Sequence, residues 1–114
     1  MSDLIYKICP TALWAEAEAA GVFRGALVDL KDGFIHFSTA EQVAATAARH
    51  FAGQEDLVLL AVEAAVLGEA LRYEVSRGGA LFPHLYGEMP LQAVRWAVPL
   101  PLGADGRHLF PVLD

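Results

Sequence analysis

The stretch Asp56 to Glu63, DLVLLAVE, is apolar without a break between two charged ends. A half-exposed strand would alternate apolar and polar residues, so this run reads as a central strand covered on both faces. A chain of 114 residues built around such a strand must find covering layers for two sides.

The neighbouring segments supply them. LIYKIC (Leu4 to Cys9) has the β-branched and aromatic content of a strand, and Pro10 stops it. Thr11 can then cap a helix through Ala20, ended by Gly21, with Ala12, Trp14, Ala15 and Ala19 as its apolar side. FIHF (Phe34 to Phe37) reads as a short strand. The following STAEQV offers two capping-box pairs, Ser38 with Glu41 and Thr39 with Gln42, for a helix running to about Phe51. Its stripe is Val43, Ala47 and Phe51. LRYEV (Leu71 to Val75) and AVRWAV (Ala93 to Val98) read as further strands, and an edge strand is expected at His108 to Phe110. Between these lie a winding connector, GVFRGALVDLKDG (Gly21 to Gly33), turns at AAVLG and SRGG, and an aromatic loop, LFPHLYGEMP (Leu81 to Pro90). Two helices among five or six strands, not regularly alternating, predict one α+β domain over residues 1–114 rather than a doubly wound sheet.

Composition narrows the partners. Fourteen acidic against eight basic side chains give a formal charge of -6, which repels duplex nucleic acid while leaving small ligands allowed. No run approaches the roughly 18 apolar residues of a membrane span, and the amino terminus has no signal-peptide pattern, so a cytoplasmic, membrane-free protein is expected. The 55% apolar content suffices for a core and fits a monomer or a weak homodimer. Cys9 is the one cysteine, expected to be a small buried residue rather than a reactive thiol.

The side chains suited to chemistry collect in DGFIHFST (Asp32 to Thr39) and LFPHLYG (Leu81 to Gly87). Strand alternation puts Ile35 and Phe37 inward, turning His36 and Ser38 toward the other face. The helix start at Ser38 and Thr39 would favour an anion or a sugar hydroxyl. His84 and Tyr86 project from the second segment, an imidazole able to move a proton and a ring able to stack. Arg72 and Glu74 share one strand face, where Arg72 can hold a carboxylate or phosphate and Glu74 can orient a hydroxyl or accept a proton, or the two can simply pair in solvent. Glu63 is a weaker acid candidate, and His50 and His108 are peripheral. His36, His84 and Glu74 are too scattered for a compact ligand signature, so no metal site is expected. Ser38 lacks a nucleophile elbow. If both segments build one site, the first is a strand-to-helix corner, the second an aromatic wall facing it, and His36 and His84 approach across an open cleft.

Taken together, IYKI, DGFIHFST, LVLLAVE, LRYE and LFPHLYG followed by a proline and a late apolar strand resemble a family of small uncharacterised bacterial proteins, domain of unknown function 952. The resemblance runs from about Leu4 to Pro111. That family is grouped by remote similarity with the ADP-ribosyltransferase-like fold, a split β-structure with helices that cradles NAD. The resemblance implies an NAD or nucleotide cleft in which His36 meets the nicotinamide ribose, with Ser38 or Thr39 beside it. The same segment is similar to the early His-x-Thr-like motif of RNA 2'-phosphotransferases. Tyr86 would stack on the leaving base and Arg72 would steady a phosphate. The sequence departs from the transferase pattern in having no glutamate after Met89, leaving Glu74 or Glu88 as substitutes, and the arginines of a phosphotransferase are not matched. ADP-ribosyl or phosphoryl transfer is one expectation. A noncatalytic module that keeps the pocket for another small molecule or a protein tail is the other.

Overall fold

The computed structural model describes residues 3–113. Strand β1 (Leu4–Pro10) leads into α1 (Thr11–Ala20), then β2 (Val22–Phe23), α2 (Leu27–Asp32), β3 (Ile35–His36), α3 (Val43–His50) and β4 (Leu57–Glu63). After α4 (Ala64–Leu67) come β5 (Leu71–Val75), β6 (Leu81–Leu85), β7 (Met89–Pro90) and β8 (Val94–Pro99). The α+β class holds, with four helices among the described residues where the sequence predicts two.

β4 is the middle strand of an antiparallel sheet ordered β1-β4-β8 and is buried on both faces, as its unbroken apolar run requires. Its alternate residues enter two separate clusters. Val58, Leu60 and Val62 join Trp14, Phe23, Ile35 and Leu85, whereas Leu57, Leu59 and Ala61 join Tyr6, Val43, Ala47 and Leu100. Each fully buried leucine contributes about 2 kcal/mol.

A second antiparallel sheet, ordered β3-β6-β5, stands beside the first. The two are joined at one point: Tyr6 N–H donates to Ser38 O at 2.8 Å and Ser38 N–H donates to Tyr6 O at 2.9 Å. A two-stranded ribbon, β2-β7, completes the fold.

Several elements differ from the sequence reading. α1 keeps its bounds, yet Pro10 occupies the N-cap without a side-chain bond, and Trp14 and Ala17 are its buried residues while Ala12, Ala15 and Ala19 are exposed. α3 starts at Val43, four residues after Thr39, because residues 40–42 form a turn in which Gln42 Oε1 accepts from Thr39 N–H at 3.0 Å. The connector contains β2 and α2. AAVLG contains α4 and not merely a turn. LFPHLYG is not a loop, since Leu81–Leu85 is the middle strand of the second sheet. In the tail the expected edge strand is instead an isolated bridge between Leu102 and His108.

Candidate functional site

β3 and β6 pair with Ile35 opposite Leu85 and His36 opposite His84. Ile35 and Leu85 point into the core, and this sends both imidazoles to the other face of the sheet. The rings meet edge to face with centroids 5.5 Å apart. The predicted proximity of the two histidines is present. Its geometry is different: they are neighbours on one sheet face, not residues on two facing walls.

That face floors a cleft of about 560 Å³. Val28 and Asp32 of α2 lie on its lining, as do Val43, Thr46 and His50 of α3, with Tyr6, Lys7 and Ile8 contributed by β1. Phe37, Phe51 and Phe82 add apolar surface, and His36, Ser38, Ser76 and His84 add polar groups.

His84 is nearly buried and its Nδ1 lies 2.8 Å from Glu74 Oε1. The same carboxylate oxygen accepts from the Tyr86 hydroxyl at 2.7 Å. Hydrogen bonds from His84 and Tyr86 hold the Glu74 carboxyl below its ordinary range, and the bond to Glu74 raises the Tyr86 hydroxyl. An ionised carboxylate can only accept, so His84 Nδ1 carries the proton and Nε2 of the neutral ring is an acceptor. No fully buried side-chain nitrogen or oxygen lacks a partner among the described residues, so this Nε2, which has no protein partner there, is reached from the cleft.

His36 is held differently. Its Nδ1 is 2.6 Å from Asp29 Oδ1 and its Nε2 is 3.0 Å from Asp32 Oδ2, so both ring nitrogens face carboxylates. Asp29 also accepts from Lys7 Nζ at 2.8 Å, from Ala26 N–H at 2.7 Å and from His36 N–H at 3.0 Å. Burial alone would raise the Asp29 carboxyl; the bond from His36, the Lys7 charge and the backbone bond outweigh it and hold the group at about 2. Burial pushes the Lys7 ammonium down, against the pull of Asp29. Phe34 packs over the pair, stacked on His84 at 4.1 Å and tilted against His36 at 4.6 Å and Tyr86 at 5.2 Å.

The family described as "Protein of unknown function (DUF952)" matches residues 8–97. The chain belongs to this DUF952 family. A crystal structure of protein CC0527 from Caulobacter crescentus is 55% identical over 93% of each chain, with a TM-score of 0.89. A solution NMR structure of CC0527 is 56% identical over 91% of this chain and 90% of that one, with a TM-score of 0.82. No curated protein matches the chain.

In this DUF952 domain the residues singled out from sequence divide into two groups. His36, Ser38 and His84 line the cleft. Thr39, Arg72, Glu74 and Tyr86 do not; Thr39 serves the turn before α3, and the other three gather behind His84 on the β5 side, with the Arg72 guanidinium 5.0 Å from the Tyr86 ring centroid. Arg72 is the register partner of His84, which explains that grouping. No cluster of three metal-ligating side chains occurs among the described residues. Asp29 and Lys7 escape the sequence reading as site residues, while Asp32 and Phe34 enter it only as members of DGFIHFST without a role. A lysine inside the apolar strand LIYKIC was the available signal, because a charge in a buried strand demands a partner elsewhere in the chain.

Proposed function

We propose that this domain binds a small organic molecule over the His36–His84 pair and that His84 exchanges a proton with it. The supporting observation is the His84 ring itself: Nδ1 is fixed on Glu74 while Nε2 opens to the cleft. A ligand hydroxyl or amine can give its proton to Nε2, and the imidazolium so formed is stabilised by Glu74 at 2.8 Å. Phe34 limits water at the ring face.

The nucleotide form of this reading, with chemistry of the ADP-ribosyltransferase-like type, draws support from His36 and Ser38 lying in the cleft beside His84. It is weakened at the phosphates, because Arg72 and Tyr86 lie outside the lining. A noncatalytic binding module is the second reading. It is favoured by His36, whose ring nitrogens are both engaged by carboxylates and leave His84 without a free imidazole partner.

Long-range nitrogen–proton NMR of the imidazoles tests the proposal, recorded while nicotinamide riboside is titrated and, for its nucleotide form, NAD and ADP-ribose. Binding in the cleft shifts the His84 Nε2 resonance saturably, and the His84→Gln variant loses that response. Saturable binding that leaves His84 Nε2 unmoved would overturn the proton-transfer role.

A further inference from the structure

We infer that the cleft selects ligands whose head group donates a hydrogen bond, an alcohol or an amine on an apolar skeleton, and rejects anions. This rests on the small-molecule reading above and deepens it. Three of the lining groups can offer lone pairs to a ligand. In the neutral ring His84 Nε2 is an acceptor, because Nδ1–H is committed to Glu74. Ser38 Oγ lies 2.8 Å from the Thr46 hydroxyl, where either oxygen can be the donor, so it accepts from a ligand when its own proton is given to Thr46. Asp32 is a carboxylate on the lining, 40% exposed.

The charges point the same way. Lys7 lies on Asp29 at 2.8 Å, and His36 lies between Asp29 and Asp32. Two carboxylates therefore face one ammonium and one imidazole, so this side of the cleft carries no positive excess whichever state the imidazole adopts. An anion entering beside these four groups would shed water with no unpaired cation among them, at a cost that favours its staying in solvent. The walls formed by Ile8, Val28, Val43, Phe51 and Phe82 give a ligand's skeleton an apolar seat.

Four probes sharing a phenyl skeleton separate the terms: 1-phenylethanol, 1-phenylethylamine, acetophenone and phenylacetate, with ADP-ribose as a large anion. Affinity is read from thermal shift and from the His84 nitrogen resonances of the full-length protein. The alcohol and the amine are expected to bind at least about tenfold more tightly than acetophenone or phenylacetate. Asp32→Asn should narrow the gap between amine and phenylacetate.

Tighter binding of phenylacetate or ADP-ribose than of the alcohol, with His84 still responding, would overturn the donor rule and leave the acid–base proposal standing. Donor-selective binding without any change at His84 would overturn the acid–base proposal alone. Failure of all five probes at millimolar concentration, with the protein folded, would overturn both.

Discussion

His36 and His84 are register partners across the β3–β6 ladder, yet each imidazole is anchored to a different carboxylate, Asp29 for one and Glu74 for the other. The two anchors differ in kind. Asp29 is buried at 2% exposure and ties three segments together, whereas Glu74 stands on an edge strand and serves one ring and one hydroxyl.

Asp29→Asn removes the charge that neutralises buried Lys7. Breaking a buried pair from one side costs about 3 to 5 kcal/mol. Urea unfolding should show the midpoint falling by a corresponding amount with an unchanged slope. A loss under 1 kcal/mol would mean that Lys7 finds another partner or water.

Acid should weaken the fold through the same residue. The Asp29 carboxyl is held at about 2 against an ordinary value of 3.8, so the folded state binds the proton less readily than the unfolded chain. Its contribution, on the order of 2 kcal/mol, is complete above the ordinary value and is lost as pH falls through about 2. Glu74, also held low, acts in the same direction. Stability measured from neutral pH downward should fall over this window in the native protein and more shallowly in Asp29→Asn.

Glu74→Gln should change the tautomer of His84 with little loss of stability. The neutral amide can accept from Nδ1–H through its oxygen or donate to Nδ1 through its nitrogen, so the ring is no longer restricted to one form. Imidazole nitrogen shifts report the change directly. An unaltered Nδ1–H form in the variant would show that Phe34 packing, not the carboxylate, fixes the ring.

The glycines flanking α2 should differ in tolerance. A Cβ on Gly25, at φ +117°, would fall 2.8 Å from Asp29 Cβ, whereas one on Gly33, at φ +88°, meets nothing within 4 Å. Gly33→Ala should cost about 1 kcal/mol from backbone strain, and Gly25→Ala about 2 to 3 kcal/mol because Asp29 must also move. Equal losses in thermal unfolding would contradict the contact.

Cys9 should resist modification. It is fully buried in β1, and burial pushes its thiol up to about 11. Labelling with a disulfide reagent in mildly alkaline buffer is expected to proceed only at the rate of global opening.

The sequence was most legible where burial follows a simple period. β1, β4, β5 and α1 are recoverable because apolar runs, a proline and a glycine mark them. β6 is harder. Pro83 argues against a middle strand, but its missing N–H falls beyond the end of β3, where Pro83 O accepts from Phe37 N–H at 3.0 Å. α2 is hardest, because LVDLKD buries only Asp29 and leaves Leu27, Val28 and Leu30 outward. Hydrophobic periodicity is silent about a helix seated by a carboxylate. The candidate site was half legible: His36 and His84 are found by residue type, whereas Asp29 reaches His36 and Lys7 only through the folded chain.

That inverted helix ties the wall of the cleft to the integrity of the protein through one carboxylate. Neither apolar cluster includes a residue of α2, so its hold on the domain is polar and runs through Asp29 to Lys7 and His36. Its amides should exchange with solvent before those of β4, whose residues are buried on both faces. Displacing this wall and stripping Lys7 of its counter-ion are thus one event, and its cost is set by a charge pair rather than by apolar contact.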